Sequence, residues 1–139
     1  MKLGFTGSRH GMTDAQKTAF AALVRRLGVS EFDHGDCVGS DEESHEIVRE
    51  VCGSDVFITV HPPLDPKQRA FVNDADEVRE PLGYLERDRN IVERTERLVA
   101  TPNGFAEEQR SGTWYTVRHA LKLGHPVTII YPDGSLEQR

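Results

Sequence analysis

Residues 2–9 read Lys2-Leu3-Gly4-Phe5-Thr6-Gly7-Ser8-Arg9, a short apolar run that breaks into a glycine-serine-arginine turn. An amphipathic helical pattern begins a few residues later, so the segment is typical of a strand, a tight turn and a helix. Such a turn places backbone N–H groups at the carboxyl end of the strand, where they and the helix dipole stabilise an anion. Ser8 adds a hydroxyl and Arg9 a forked cation. The alternative is an ordinary β–α turn with a solvated arginine.

The same order of strand, turn and helix recurs next along the chain. The first helix is predicted to begin at an N-cap, Thr13, and to end before Gly28. A short strand then ends in a second turn bracketed by glycines, His34-Gly35-Asp36-Cys37-Val38-Gly39-Ser40-Asp41. Ser40 and Glu43 have the spacing of a capping box, which predicts the start of a second helix.

The rest of the chain continues the alternation. Residues 56–60 form a β-branched and aromatic run, typical of a strand buried on both faces of a parallel sheet. Residues 62–83 are rich in proline and charge and predict a long loop over the ligand side of the sheet. The remaining predicted elements are a helix at 84–96, a strand at 98–101, a turn at Ser111-Gly112-Thr113 that opens another helix, a last strand at 126–131 and a polar tail at 133–139.

Strands that alternate with helices, and that are apolar rather than alternating, predict an α/β fold. We expect one domain over residues 1–139, with a doubly wound parallel sheet of about five strands between two helical layers, a three-layer α/β/α arrangement. In such sheets ligands bind outside the carboxyl ends of the strands. The three turns therefore meet at one edge.

Composition limits the partners. The net charge of -6 speaks against a general nucleic-acid surface, which needs a basic patch. The two cysteines, Cys37 and Cys52, have no metal-type spacing, and no pair of ligating residues predicts a metal site. Nothing in the sequence predicts a signal peptide or a membrane span, so we expect a cytoplasmic setting and no membrane partner.

Four motifs together resemble the SLOG superfamily, which groups DNA-processing DprA/Smf proteins with LOG-type proteins. They are Gly-Phe-Thr-Gly-Ser-Arg at 4–9, the turn at 34–41, Glu86-Arg87-Asp88-Arg89-Asn90 and Ser111-Gly112-Thr113. The small stand-alone members, the YspA and YpsA-related branch, resemble the chain over nearly its whole length. The resemblance implies a Rossmann-like fold that binds a nucleotide or a nucleotide-derived ligand, and it implies a homodimer.

LOG-type phosphoribohydrolases cleave the N-glycosidic bond of a nucleoside monophosphate with an arginine and a glutamate. The resemblance places Arg89, or else Arg87, at the position of the arginine. The glycine-threonine pair of the family survives as Gly112-Thr113, but Val117 occupies the position of the glutamate. Without that carboxylate, the group best placed to move a proton or stabilise a ribosyl cation is missing.

Candidate site residues come from all the motifs. The ligand-binding candidates are Gly7, Ser8, Arg9, His34, Gly35, Asp36, Gly39, Asp41, Arg89, Asn90, Ser111, Gly112 and Thr113. The catalytic candidates are Asp41, Arg89 and Glu86, and Asp36 is a further carboxylate that could replace the glutamate. Carboxylates in the second turn would repel phosphate, so sugar hydroxyls are their better partners. The alternative is that acids simply favour a helix N-terminus.

Aromatic residues and histidines leave further alternatives open. His34 and His61 fall at predicted strand ends, where an imidazole could act as acid, base or stacking group. Trp114 is either a stacking platform or, by its helical phase, a core residue. Phe5 and Tyr84 share that ambiguity.

The leading expectation is a protein that binds a nucleotide or nucleotide-derived small molecule at the carboxyl edge of the sheet, with no resident cofactor. One alternative is an enzyme, a nucleoside-monophosphate N-glycosidase or a deoxyribosyltransferase. A second alternative is a DNA-processing accessory protein, against which the acidic balance speaks.

Overall fold

A computed structural model describes the whole chain, Met1–Arg139. Its strands are β1 (Lys2–Gly7), β2 (Glu31–His34), β3 (Phe57–Val60), β4 (Glu77–Val78), β5 (Arg97–Thr101), β6 (Val127–Ile130) and β7 (Leu136–Gln138). Its helices are α1 (Asp14–Leu27), α2 (Ser40–Cys52), α3 (Tyr84–Glu93) and α4 (Gly112–Lys122), with short 3₁₀ turns at Gly53–Asp55 and Pro66–Gln68.

One sheet contains all the strands in the order β4-β3-β2-β1-β5-β6-β7, and every neighbouring pair is parallel except β6 with β7. The chain moves outward from β1 through β2 and β3 to β4. It then returns to β5 on the other side of β1. This reversal makes the boundary between β1 and β5 the switch point, where a doubly wound sheet opens a crevice at its carboxyl edge.

Helices cover both faces of the sheet. Leu3 and Phe5 of β1 lie in a core with α1 and α2, and Phe5 packs edge-on against Phe20. The opposite side of β1 lies against α3, since a Cβ on Gly4 would come within 3.2 Å of Ile91 Cγ2. Trp114 of α4 is 1% exposed within the second core. The predicted α/β/α layering is confirmed, and Trp114 and Phe5 are core residues.

The five predicted strands are present, and two short edge strands accompany them. β4 lies inside the predicted loop at 62–83, and β7 lies in the polar tail. Strands of only two or three residues are too short to show a periodic pattern in the sequence, and a strand at the edge of a sheet has little apolar surface to bury. Backbone pairing with β3 and β6, rather than sequence pattern, defines these two strands.

The first predicted helix cap is confirmed and the second is wrong. Thr13 and Gln16 form a capping box at the start of α1, and Gly28 ends that helix in the left-handed region at φ 60°. At α2, however, the N-cap is Gly39 and makes no side-chain cap. Ser40 Oγ donates to the carbonyl oxygen of Ser8 over 2.5 Å, and Glu43 accepts from the Met12 amide over 2.7 Å. Long-range bonds to the first turn replace the local box.

Candidate functional site

A cleft of about 900 Å³ opens at the carboxyl edge of the sheet, beside the switch point. Ser8, Asp41 and Thr113, which come from the three predicted turns, all line it. The full lining is Phe5, Thr6, Gly7, Ser8, Arg9 and His10 from β1 and the first turn; Gly35, Cys37 and Asp41 from the second; Gln68; Tyr84, Arg87, Asp88 and Ile91 from α3; and Asn103, Glu108, Gln109, Arg110, Ser111, Gly112 and Thr113 around the start of α4.

The first turn, residues 7–11, uses most of its amides internally. The Ser8 amide donates to the Thr101 carbonyl oxygen, and the amides of His10 and Gly11 donate to Ser8 Oγ and the Ser8 carbonyl oxygen. The Arg9 amide has no partner, and α1 begins seven residues after Gly7. This turn therefore gives the cleft the free amide and the exposed side chain of Arg9, without the helix N-terminus that the sequence predicts there.

The start of α4 provides a more open cradle. Ser111 is the N-cap, and its hydroxyl accepts from the Trp114 amide over 3.3 Å. The amides of Gly112 and Thr113 have no partner in the protein, and both residues line the cleft. Arg110, immediately before the cap, is exposed and makes no side-chain bond. Two free amides, a helix dipole and a cation thus lie together.

Arg87 lies at the closed end of the cleft and is 9% exposed. Its Nη1 donates to the carbonyl oxygen of Gly35 over 2.9 Å, and its Nη2 donates to Cys37 Sγ over 3.2 Å. Its Nε is buried and has no partner. A buried guanidinium with a spare donor is costly unless another group accepts from it.

Two carboxyl groups surround this guanidinium and are unusually weak acids. Burial raises the pKa of Asp41 to about 7, against the opposing pull of Arg87 and of the hydrogen bond from the Cys37 amide. Burial likewise raises the pKa of Asp88 to about 6, again opposed by Arg87. Burial and the charge of Asp41 raise the pKa of the Cys37 thiol to about 11, so this cysteine is a neutral thiol.

Of the two arginines in the third motif, Arg87 rather than Arg89 lines the cleft. Arg89 is exposed and donates from Nε to the Tyr115 hydroxyl over 2.9 Å. Glu86 is exposed and Asn90 half-buried, and neither lines the cleft. The structure therefore does not bring Glu86, Arg89 and Asn90 together with the three turns. Val117 is fully buried in the second core.

Within the second turn, residues 35–39, only some candidates reach the cleft. Gly35 lines it with Cys37, while Asp36 and Gly39 do not. Asp36 is 1% exposed, and its carboxylate accepts from Arg69 Nε over 2.9 Å and from the Val72 amide over 3.2 Å. It fastens the segment 69–72 to the sheet edge, so that the neighbouring Gln68 forms part of the cleft wall.

His34 also lies outside the cleft, in a row with the buried His45 and the exposed Asp74. His34 Nδ1 accepts from the Asp36 amide over 3.0 Å, so Nε2 carries the proton. That proton is donated to His45 Nδ1 over 2.9 Å, and His45 Nε2 in turn donates to Asp74. Burial, and then the proximity of His45, His61 and Arg87, lowers the pKa of His34 well below its usual range.

His61 is buried in a separate hydrogen-bonded cluster. Its Nε2 lies 2.7 Å from Asp33 Oδ2, and Arg94 Nε donates to the same oxygen over 3.0 Å. No group of three or more His, Cys, Asp or Glu side chains is arranged to hold a metal ion. None of the helices has both the length and the apolar character needed to cross a bilayer.

Several lining residues are not among the candidates from the sequence, namely Cys37, Asp88 and Arg110, and Arg87 is there only the alternative to Arg89. The signal for the α3 face was present: Tyr84, Arg87, Asp88 and Ile91 follow the i, i+3, i+4, i+7 spacing of one helix side. The spacing shows that these residues share a face. It does not show that this face points toward the ligand side.

Three solved structures resemble this fold. A molybdenum cofactor binding protein from the phototrophic bacterium Rippkaea orientalis superposes with a TM-score of 0.68 at 20% identity, over 94% of this chain and 77% of the other. The molybdenum cofactor carrier protein from Chlamydomonas reinhardtii superposes with a TM-score of 0.65 at 20% identity, over 93% of this chain and 76% of the other.

The third is the DNA processing protein A (DprA) from Streptococcus pneumoniae, with a TM-score of 0.66 at 18% identity over 92% of this chain. The match spans 49% of the DprA chain, about half of its length. No protein-family model and no curated protein sequence matches the chain. The likeness to these three structures confirms the Rossmann-like fold that the sequence resemblance implies.

Proposed function

From a SLOG-type Rossmann-like fold with an open cleft at its switch point, we propose that this chain binds a small phosphorylated, nucleotide-derived molecule. The observation that carries the proposal is the pair of free amides at Gly112 and Thr113, at the start of α4 and beside the unpaired Arg110. A phosphate accepts hydrogen bonds from such amides and is stabilised by the helix dipole and the cation.

The opposite side of the cleft supports a ligand that is more than a phosphate. Arg87 has a donor without a partner at Nε. The carboxyl groups of Asp41 and Asp88, whose pKa values are raised to about 7 and about 6, offer oxygens that gain or lose a proton near neutral pH. A sugar or a heterocycle presents both donors and acceptors to such groups. The volume of about 900 Å³ is within the range of pockets for molecules of nucleotide size.

The neighbours widen the range of ligands to test. Two of them are molybdenum cofactor binding or carrier proteins. The molybdenum cofactor therefore belongs beside nucleoside mono- and diphosphates, cyclic nucleotides and ADP-ribose in the set of trial ligands.

Isothermal titration calorimetry with this set tests the proposal. We expect binding by at least one phosphorylated ligand, weakened about tenfold in Arg110→Gln through loss of a charge-assisted hydrogen bond. Arg26→Gln, on α1 away from the cleft, is the matched control for loss of one positive charge and should bind as the wild type does. Absence of any binding at millimolar concentration, or equal weakening by both substitutions, would contradict the proposal.

A second candidate function is hydrolysis or transfer at the N-glycosidic bond of a nucleotide. Asp41, with its pKa raised to about 7 beside Arg87, has the acidity of a general acid or base at neutral pH. Release of free base from nucleoside monophosphates, lost in Asp41→Asn but not in the exposed Glu50→Gln, would support this activity. Absence of turnover with every nucleotide that binds would exclude it.

We further propose that residues 1–139 fold as one domain and associate as a homodimer. Light scattering after size-exclusion chromatography at two concentrations tests the homodimer, and a single cooperative transition in calorimetry tests the domain.

A DNA-processing role is tested by a gel shift at low and high salt. A lack of any shift at low salt would exclude that role.

A further inference from the structure

One face of α3 lines the cleft. Tyr84, Arg87, Asp88 and Ile91 all line it, at the spacing of one side of a helix. The buried end of this face carries Arg87 and Asp88, and the exposed end carries Tyr84, which is 60% exposed. The face therefore changes from charged to aromatic toward the cleft mouth.

Among the phenylalanine and tyrosine rings that line the cleft, only that of Tyr84 is exposed. Phe5 also lines it but is fully buried, and Trp114 is 1% exposed beneath the start of α4. Phe105, on the segment before α4, does not line the cleft and stacks on Tyr131 with an angle of 8° between the rings. Tyr84 has no aromatic partner of its own, and its hydroxyl makes no hydrogen bond.

The backbone under Tyr84 is held in place before any ligand binds. Leu82 donates from its amide to the Pro62 carbonyl oxygen over 3.2 Å and pairs with Pro63 in an isolated bridge. On the other side, Arg87 donates from its amide to the Gly83 carbonyl oxygen over 3.1 Å. A ring on a fixed backbone loses little conformational entropy when it stacks on a ligand.

We propose that Tyr84 is the platform on which a planar heterocycle of the ligand stacks, while the phosphate lies at the start of α4. This inference rests on the proposed function and narrows its ligand to a phosphorylated molecule that carries a flat ring system. An aromatic side chain stacks on any such ring through its π face, so Tyr84 selects for the presence of a heterocycle rather than for its identity.

The test compares ligands with and without a heterocycle. The probes are the 5′-monophosphates of adenosine, guanosine, cytidine and uridine, with ribose 5-phosphate as the probe that lacks a base. The variants are Tyr84→Ala, Tyr84→Phe and Phe57→Ala, the last removing an aromatic side chain of similar exposure from β3, outside the cleft. Dissociation constants are measured by calorimetry, and thermal unfolding confirms that each variant is folded.

We expect the wild type to bind at least one nucleotide about tenfold more tightly than ribose 5-phosphate. Tyr84→Ala should remove this advantage and leave the affinity for ribose 5-phosphate unchanged, while Tyr84→Phe and Phe57→Ala should retain it. Equal loss for both kinds of probe in Tyr84→Ala, or no preference for nucleotides in the wild type, would overturn the inference and leave the proposed function standing. Failure of all these probes to bind would overturn the inference, and the proposed function would fall with it only if the wider set of trial ligands also failed to bind.

Discussion

Arg87 approaches Gly35 so closely that a Cβ on Gly35 would lie 2.0 Å from Arg87 Nη1. The same Cβ would lie 2.8 Å from Asp41 Oδ2. The glycine between β2 and α2 therefore provides the space in which a cation from α3 and an acid from α2 meet. The charged end of the cleft depends on this missing side chain.

Gly35→Ala should displace the Arg87 guanidinium from its bond to the Gly35 carbonyl oxygen. We expect a loss of about 1–3 kcal/mol in the free energy of unfolding, as for other overpacked sites. Urea denaturation measures it. Gly104→Ala, where a Cβ would meet no atom within 4 Å, is the control and should change stability by less than about 0.5 kcal/mol. Similar values for the two variants would show that the Arg87 site adapts without cost.

The acidity of Asp41 predicts a particular pH dependence. Its pKa is raised to about 7 by burial, whereas an aspartate in an unfolded chain has a pKa of about 3.9. Between these values the folded state holds the extra proton, so the Asp41 contribution to stability is full below pH 4 and is lost as the pH rises through 7. Asp41→Asn keeps an acceptor for the Cys37 amide and removes the charge.

Relative to the wild type, Asp41→Asn should therefore gain stability steadily between pH 4 and pH 8. The gain is about 1.4 kcal/mol for each unit of the pKa shift. Urea denaturation of both proteins across this range provides the measurement, with Glu50→Gln on the exposed side of α2 as the control. A difference that does not vary with pH would mean that Asp41 is ionised in the folded protein.

Asp36 should be essential for holding the segment 69–72 against the sheet edge. Its φ of 52° lies in the left-handed region, which asparagine adopts more readily than alanine. Asp36→Ala removes the acceptors of Arg69 Nε and the Val72 amide, and we expect a cost of about 2–4 kcal/mol. Asp36→Asn retains one acceptor and should cost less.

Hydrogen exchange at the amides of Ala70 and Val72 reports this segment directly. The Val72 amide donates to Asp36 Oδ1 and the Ala70 amide to the Asp36 carbonyl oxygen. Loss of the side-chain acceptor should make the Val72 amide exchange faster in Asp36→Ala than in Asp36→Asn, and the Ala70 amide should follow because it belongs to the same segment. Unchanged exchange at both positions in Asp36→Ala would show that other contacts hold the segment.

Arg118 should hold the segment that leads into the start of α4. Its Nη1 donates to Glu107 Oε2 over 3.0 Å, and its Nη2 donates to the Gln109 carbonyl oxygen over 3.0 Å. Because Arg118 is partly exposed, Arg118→Met should lower the free energy of unfolding by less than about 1 kcal/mol. The segment itself should open more often, and trypsin should cleave after Arg110 faster.

The rate of this cleavage in wild type, Arg118→Met and the control Arg26→Met measures the effect. Equal cleavage rates in all three would assign the position of Arg110 to other contacts, such as the ion pair between Arg139 and Glu107 at 3.4 Å.

The order of the elements and the meeting of the turns were accessible from the sequence. Apolar runs closed by glycine turns predict parallel strands, and topology then brings Ser8, Asp41 and Thr113 to one edge although they are far apart in the chain. This inference needs no knowledge of side-chain contacts. It depends only on the rule that parallel strands end at the same edge.

Side-chain direction was not accessible in the same way. Arg87 and Arg89 are two residues apart on one helix, and only the packing of α3 against Gly4 decides which of them faces the cleft. Asp36 looked like a ligand-binding acid because its partners, Arg69 and Val72, lie 33 and 36 residues away. No pattern in the sequence near Asp36 indicates either partner. Only the tertiary structure shows that this carboxylate binds protein groups rather than a ligand.

The row from His34 through His45 to Asp74 has a direction. Since the Asp36 amide occupies His34 Nδ1, every N–H in the row is oriented toward Asp74, near the surface. The Asp36 amide, at the inner end of the row, belongs to the same bend that carries the Asp36 carboxylate and leads to Asp41. A chain of hydrogen bonds that all have the same orientation therefore joins the exposed carboxylate of Asp74 to the bend that forms part of the cleft wall.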